Sequence, residues 1–111
     1  MKRGEIYYAD LNPSVGDEIK NARPVLIISN DNNNKMSNTI TVLPITKNVA
    51  RVYPFEVFLD KQETGLLHDS KAQAHQIRTI SKQRVNSSVK GRVNAATLQR
   101  VEMAMKIHLA L

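Results

Sequence analysis

Three short segments of this chain gather side chains that could handle a phosphate. Gly16-Asp17-Glu18-Ile19-Lys20-Asn21-Ala22-Arg23-Pro24 is a polar loop ending in an arginine at the mouth of an apolar run. Pro24 biases Arg23 toward an extended backbone and so fixes where its side chain leaves the chain. A guanidinium is permanently charged and presents a planar fork of donors that matches phosphate oxygens. The plainer alternative is a strand-end arginine paired with Asp17 or Glu18. Leu43-Pro44-Ile45-Thr46-Lys47 sets a hydroxyl beside an ammonium at the end of a second apolar run. That pair could hold a phosphate by hydrogen bond and charge, or be a β-forming residue followed by a solvated lysine. Ala74-His75-Gln76-Ile77-Arg78-Thr79 adds an imidazole and two further polar heads. In an unbroken strand, His75 lies on one face and Gln76 with Arg78 on the other.

Other chemistries lack their residues. There is no cysteine, which removes thiol nucleophiles, thiolate metal sites and disulfides, and fits a reducing cytoplasm. No Gly-rich phosphate cradle, nucleophile elbow or helix-borne His-Glu-x-x-His is present. His68, His75 and His108 have no ligand spacing, so neither a metal site nor a cofactor is expected. Tyr7, Tyr8, Tyr53, Phe55 and Phe58 could stack on unpaired bases, but a small fold is expected to place most of them inside.

The elements that must carry these segments are mainly strands. Glu5 to Leu11, Pro24 to Ser29, Thr39 to Thr46, Phe55 to Asp60 and Ala72 to Ile80 are rich in branched and aromatic residues, and Val85 to Val89 is a weaker sixth. Val25-Leu26-Ile27-Ile28 is continuously apolar, as a strand buried on both faces would be, and far too short to cross a bilayer. Asn32-Asn33-Asn34 reads as a polar loop. From Asn94, a good N-cap, the period changes: Leu98, Val101, Met105 and Leu109 recur at helical spacing, with Met103 and Met105 as packing residues. The expectation is a mostly β fold, a strongly bent sheet or small barrel closed by a C-terminal helix.

A chain of 111 residues with no repeat or linker is one domain, 1–111. Lys2, Arg3, Glu5 and Asp10 leave no room for a signal peptide's apolar core, so a soluble protein inside the cell is expected. The net charge is +6, unevenly spread. Residues 70–111 hold eight bases and one acid, while residues 1–69 hold eight bases and nine acids. A basic C-terminal part suits a polyanion, nucleic acid ahead of membrane, or equally a surface that keeps the protein dispersed.

Taken together, the segments resemble the MazF/PemK family of toxin–antitoxin ribonucleases over nearly the whole chain. The resemblance runs through Arg3-Gly4-Glu5-Ile6-Tyr7-Tyr8-Ala9-Asp10-Leu11, then Gly16-Asp17-Glu18 leading to Arg23-Pro24-Val25-Leu26-Ile27-Ile28-Ser29. Pro44-Ile45-Thr46, Tyr53-Pro54-Phe55-Glu56-Val57, Gly65-Leu66-Leu67-His68-Asp69-Ser70 and Gln76-Ile77-Arg78-Thr79-Ile80 follow in order. It implies an SH3-like barrel, a homodimer, inhibition by a cognate antitoxin, and sequence-selective cleavage of single-stranded RNA. It also implies that Arg23 and Thr46 are catalytic, with Glu18 as a functional loop acid. Asp17, Lys47, His75, Gln76 and Arg78 are then candidate substrate contacts. Asn21 stands where members often have Gly, His75 where many carry an acid, and Ser81 where Asp is frequent.

Such an enzyme would let the RNA's own 2′-OH attack in line, without metal, while Arg23 and Thr46 stabilise the phosphorus oxygens and Glu18 or solvent takes the proton. An antitoxin with an acidic, partly disordered tail would compete for the same basic surface. A non-enzymatic toxin of the CcdB type, or a non-catalytic RNA-binding barrel, would not need Arg23 and Thr46 as a pair.

Overall fold

A computed structural model describes residues 1–111. Seven strands, β1 Glu5–Asp10, β2 Ala22–Ile27, β3 Thr39–Thr46, β4 Glu56–Leu59, β5 Ser70–Gln73, β6 Arg78–Ser81 and β7 Val85–Arg92, form one antiparallel sheet. The order is β4-β5-β3-β2-β1-β7, with β6 pairing on β3 beside β5. The helices are α1 Asp31–Met36, α2 Lys61–Thr64 and α3 Ala95–Leu109. The mostly β class and the terminal helix are as expected, and Asn94 caps α3 by accepting from Thr97 N at 2.9 Å.

The apolar run in β2 explains the bend. Leu26 and Ile28 point into one core with Ile6, Leu43, Ile45, Val57 and Leu59, covered by Val101 and Ala104 of α3. Val25 and Ile27 point the other way, into a second core with Tyr7, Leu11, Ile40, Val42 and Ile80. A strand alternates its side chains, so a run apolar at every position stays dry only if both faces are covered. Each such buried aliphatic side chain contributes about 1.5–3 kcal/mol.

β3 is the shared spine. Its first half pairs with β6, Thr39 opposite Ser81 through Val42 opposite Arg78, and its last residues pair with β5, Ile45 opposite Ala72 and Thr46 opposite Lys71. This breaks the single strand expected over Ala72 to Ile80. Between the two pairings β3 steps back three residues, from Ile45 to Val42, while the other chain advances six, from Ala72 to Arg78. The surplus is taken up by a 3₁₀ turn at Ala74–Gln76.

Two helices were not expected. The asparagine run is helical: Asn30 accepts from Asn33 N at 2.8 Å as an N-cap, and Asn34 is buried, donating to Ser29 O at 2.8 Å. α2 is one turn, capped by Asp60 and ended by Gly65 at φ 81°. α2 meets β7 closely: a Cβ on Gly91 would collide with the Thr64 carbonyl oxygen. That contact sets the segment after α2 beside the sheet.

Candidate active site

The register of β2 on β3 brings the two phosphate-handling segments together. Val25 pairs with Pro44, Leu26 with Leu43 and Ile27 with Val42. Continuing that ladder two residues outward sets Arg23 opposite Thr46. Both line one groove of about 930 Å³, with Lys47, Tyr8, His68, Arg84 and Lys90 around them. The lining carries four permanent or near-permanent cations, Arg23, Lys47, Arg84 and Lys90, against a single acid, Asp10. Such a wall suits a polyanionic chain more than a neutral ligand.

Arg23 is half-buried, and its Nε donates to the Lys20 carbonyl at 2.8 Å. That bond fixes the plane of the guanidinium and leaves its two terminal amino groups for another acceptor. Burial lowers the Arg23 pKa, with nearby Tyr8 opposing the shift, so the charge is held where water screens it less. The Thr46 oxygen accepts from Asn48 N at 3.3 Å, which leaves the hydroxyl proton to donate.

The loop between β1 and β2 is pinned from behind by residues of the β6 region. Gln76 accepts from Ile19 N at 3.1 Å and donates to the Asp17 carbonyl at 3.1 Å. Arg78 donates to the Leu11 carbonyl at 2.9 Å, and Arg84 donates to the carbonyls of Asp10 and Asn12. Asn21 closes the loop base: its N–H donates to Asn12 Oδ1 at 3.1 Å, and its carbonyl accepts from Leu11 N at 3.2 Å. It does so at φ 73°, a left-handed conformation that Asn tolerates better than most residues other than Gly.

Of the expected site residues, Arg23, Thr46 and Lys47 come together in the groove. Glu18 does not line it. Its carboxylate accepts from Val15 N at 2.7 Å, turned back onto its own exposed turn, while Asp17 is exposed on the same turn. Gln76 and Arg78 have their polar heads committed to loop backbone. His75 is a correction: it packs edge-on against Phe55 at 4.5 Å between ring centres, faces His108 at 6.4 Å, and lies off the groove. The 3₁₀ turn is the reason, since its tighter winding sends His75 toward α3 and Gln76 toward the loop. Burial lowers the His75 pKa; Glu56 opposes this, while His108 and Lys71 reinforce it. Buried His75 Nδ1 has no hydrogen-bond partner.

Two compositional expectations also change. Lys71 is buried and paired with Glu56 at 3.0 Å, and Arg78 braces a loop, so only Arg84 and Lys90 of the basic C-terminal part reach the groove. Tyr7 is in the core, but Tyr8, Tyr53 and Phe58 are exposed, and Tyr8 lies on the groove. Strict alternation after Tyr7 would have singled out Tyr8. His68 also lines the groove, although its spacing from the other histidines signals nothing.

The sequence pattern of the family described as "PemK-like, MazF-like toxin of type II toxin-antitoxin system" matches residues 2–109. The chain belongs to the PemK/MazF toxin family. Within the family it is 47% identical over 116 residues to endoribonuclease MazF9 of Mycobacterium tuberculosis (strain ATCC 25618 / H37Rv), an alignment covering 100% of this chain and 98% of that protein. It is 39% identical over 112 residues to endoribonuclease EndoA of Bacillus subtilis (strain 168), covering 100% and 96%. The PemK/MazF fold is seen in the crystal structure of MazF from Deinococcus radiodurans, with a TM-score of 0.86 at 22% identity and coverage of 100% and 97%. It is seen again in a mycobacterial endoribonuclease bound to its cognate antitoxin, with a TM-score of 0.81 at 24% identity and coverage of 100% and 96%.

Proposed function

We propose that this chain is the toxin of a type II toxin–antitoxin pair and cuts single-stranded RNA in the groove, by attack of the RNA's own 2′-OH on the adjacent phosphorus. The observation that carries this reading is that Arg23 and Thr46, just beyond the paired ends of neighbouring strands, line one basic groove. The 2′-oxygen forms a bond to phosphorus as the bond to the 5′-oxygen breaks, and the leaving oxygen takes a proton from solvent, giving a 2′,3′-cyclic phosphate and a 5′-OH end. The negative charge that grows on the non-bridging oxygens is met by the free amino groups of Arg23 and by the Thr46 hydroxyl. Lys47 and Lys90 hold flanking phosphates, and Tyr8 offers a face for an unpaired base. Glu18 turns back onto its own loop, and the 2′-OH proton passes to His68, an imidazole on the groove lining. Only unpaired RNA can swing its 2′-oxygen into line.

The partners follow from the same surfaces. A cognate antitoxin with an acidic tail fits the four-cation groove and competes with RNA there. A second copy of the chain fits the outer face of α3, where exposed Met103 and Ile107 border a shallow apolar hollow with Val52 and Phe58. No helix is long and apolar enough to cross a membrane, and the cytoplasm, where messages are translated, is the compartment proposed. Incubating the purified protein with single-stranded RNA in excess EDTA tests the reaction. Cleavage with cyclic-phosphate and 5′-OH ends is expected; intact RNA, or 5′-phosphate ends, overturns it.

A further inference from the structure

We infer that Gln76 is a positioning residue for Arg23, acting through the backbone of the β1–β2 loop; this rests on the ribonuclease reading above. The carboxamide presents one acceptor and one donor side by side, and the loop presents the complementary pair, Ile19 N–H and Asp17 C=O, both at 3.1 Å. The very next residue, Lys20, supplies the carbonyl that receives Arg23 Nε at 2.8 Å. The chain of contacts therefore runs from Gln76 to residues 17–19, to the Lys20 carbonyl, to the guanidinium.

Apart from Ile19, whose side chain packs against the second core, little else holds this stretch. Asp17, Glu18 and Lys20 are exposed. Glu18 bonds only locally, its N–H to Val15 O at 3.1 Å and its carboxylate to Val15 N at 2.7 Å. The clasp of Asn12 and Leu11 on Asn21 ties the loop base on the far side of Lys20. Gln76 itself is well anchored, because it ends a 3₁₀ turn whose preceding residue, His75, is wedged between Phe55 and His108. With Gln76 removed, the Lys20 carbonyl loses its fixed place and Arg23 loses the bond that sets its plane. A small misplacement of a charge-stabilising group is enough to slow a reaction by orders of magnitude.

The test compares wild type, Gln76→Ala, Gln76→Glu, Arg23→Ala and the Gln76→Ala/Arg23→Ala double variant in single-turnover RNA cleavage, with RNA affinity measured separately. Gln76→Ala should lower the rate at saturating RNA about tenfold or more, with affinity changed by less than about twofold. In the Arg23→Ala background the same change should add less than about twofold, since no guanidinium remains to be placed. Gln76→Glu keeps the size and the acceptor for Ile19 N but sets a carboxylate against the Asp17 carbonyl; it should lose rate as Gln76→Ala does, which keeps the test open where Gln76→Ala fails to fold. Independently of activity, NMR should show the Arg23 Nε–H protected from solvent exchange in wild type and exposed in both Gln76 variants. Weaker RNA binding at an unchanged saturating rate would make Gln76 a substrate contact and overturn the inference. So would a double variant whose loss is the full product of the single losses, or an Nε–H equally protected in all forms. An uncleaved RNA with wild type would sink the ribonuclease reading, while the exchange measurement would still decide the positioning.

Discussion

Truncating Arg23 to alanine removes one hydrogen bond within the protein, that from Nε to the Lys20 carbonyl, at the edge of the groove. Such a bond is worth about 0.5–1.5 kcal/mol net, against about 5–15 kcal/mol for a whole domain, so the variant should fold. The half-buried position limits the cavity left behind. The catalytic loss is of another size. Removing a preorganised donor to the transition state costs about 2.7–4 kcal/mol, or roughly 10²–10³ in rate. Here a charge disappears as well, from a half-buried position where water screens it less. The loss should be at least roughly 10³. Arg23→Lys keeps the charge but cannot offer Nε to Lys20 and a two-pronged face to phosphate together, so it should recover only a small part. Single-turnover cleavage of a labelled single-stranded RNA, with circular dichroism to confirm folding, measures both effects. A folded Arg23→Ala that cleaves within about threefold of wild type would refute the placing of the transition state beside Arg23.

Thr46→Val keeps the β-branched shape at the end of β3 and deletes the hydroxyl, so it should slow cleavage about 10²-fold with an unchanged melting temperature; a proportionate fall in stability instead would make Thr46 structural. Four groove cations on a single strand should give a slope of log affinity against log salt of about −3, and Lys47→Ala or Lys90→Ala should each flatten it by about 0.7. A slope as steep as the whole basic C-terminal part would give would argue against the groove. His68→Gln should lower kcat/KM about 10²-fold or more, and a rate identical to wild type would return the proton to water. His75 titrates lower in the folded chain than its ordinary 6.5, so below that pH the unfolded state binds the proton first. Stability should thus start to fall as pH drops through about 6.5, before the carboxylates are protonated, and His75→Phe should delay that fall.

Much of the molecule was legible because its signals were local. The run Val25 to Ile28 could be dry only in a doubly covered strand, and the spacing of Leu98, Val101 and Met105 had no other reading than a helix. The limits arose where pairing partners, which lie far away in sequence, decide the outcome. Nothing within Ala72 to Ile80 says that β3 will be shared between two strands, and without that the 3₁₀ turn and the directions of His75 and Gln76 stay hidden. Charge misled for the same reason: Lys71 and Arg78 look like free cations until Glu56 and the Leu11 carbonyl are seen beside them. α1 was a nearer miss, since Asn30 followed by Asp31 is a capping signal that the polar character of the asparagine run obscured.

The sharing of β3 also sets an order of assembly during synthesis. The β2–β3 pairing that sets Arg23 near Thr46 lies within chain that is complete once β3 has left the ribosome. The far wall of the groove, from Gly65 to Lys90, and the Gln76 brace belong to chain made later, and α3 covers the first core last. A nascent chain therefore carries Arg23 and Thr46 on neighbouring strands before the far wall of the groove and the brace behind the arginine are made.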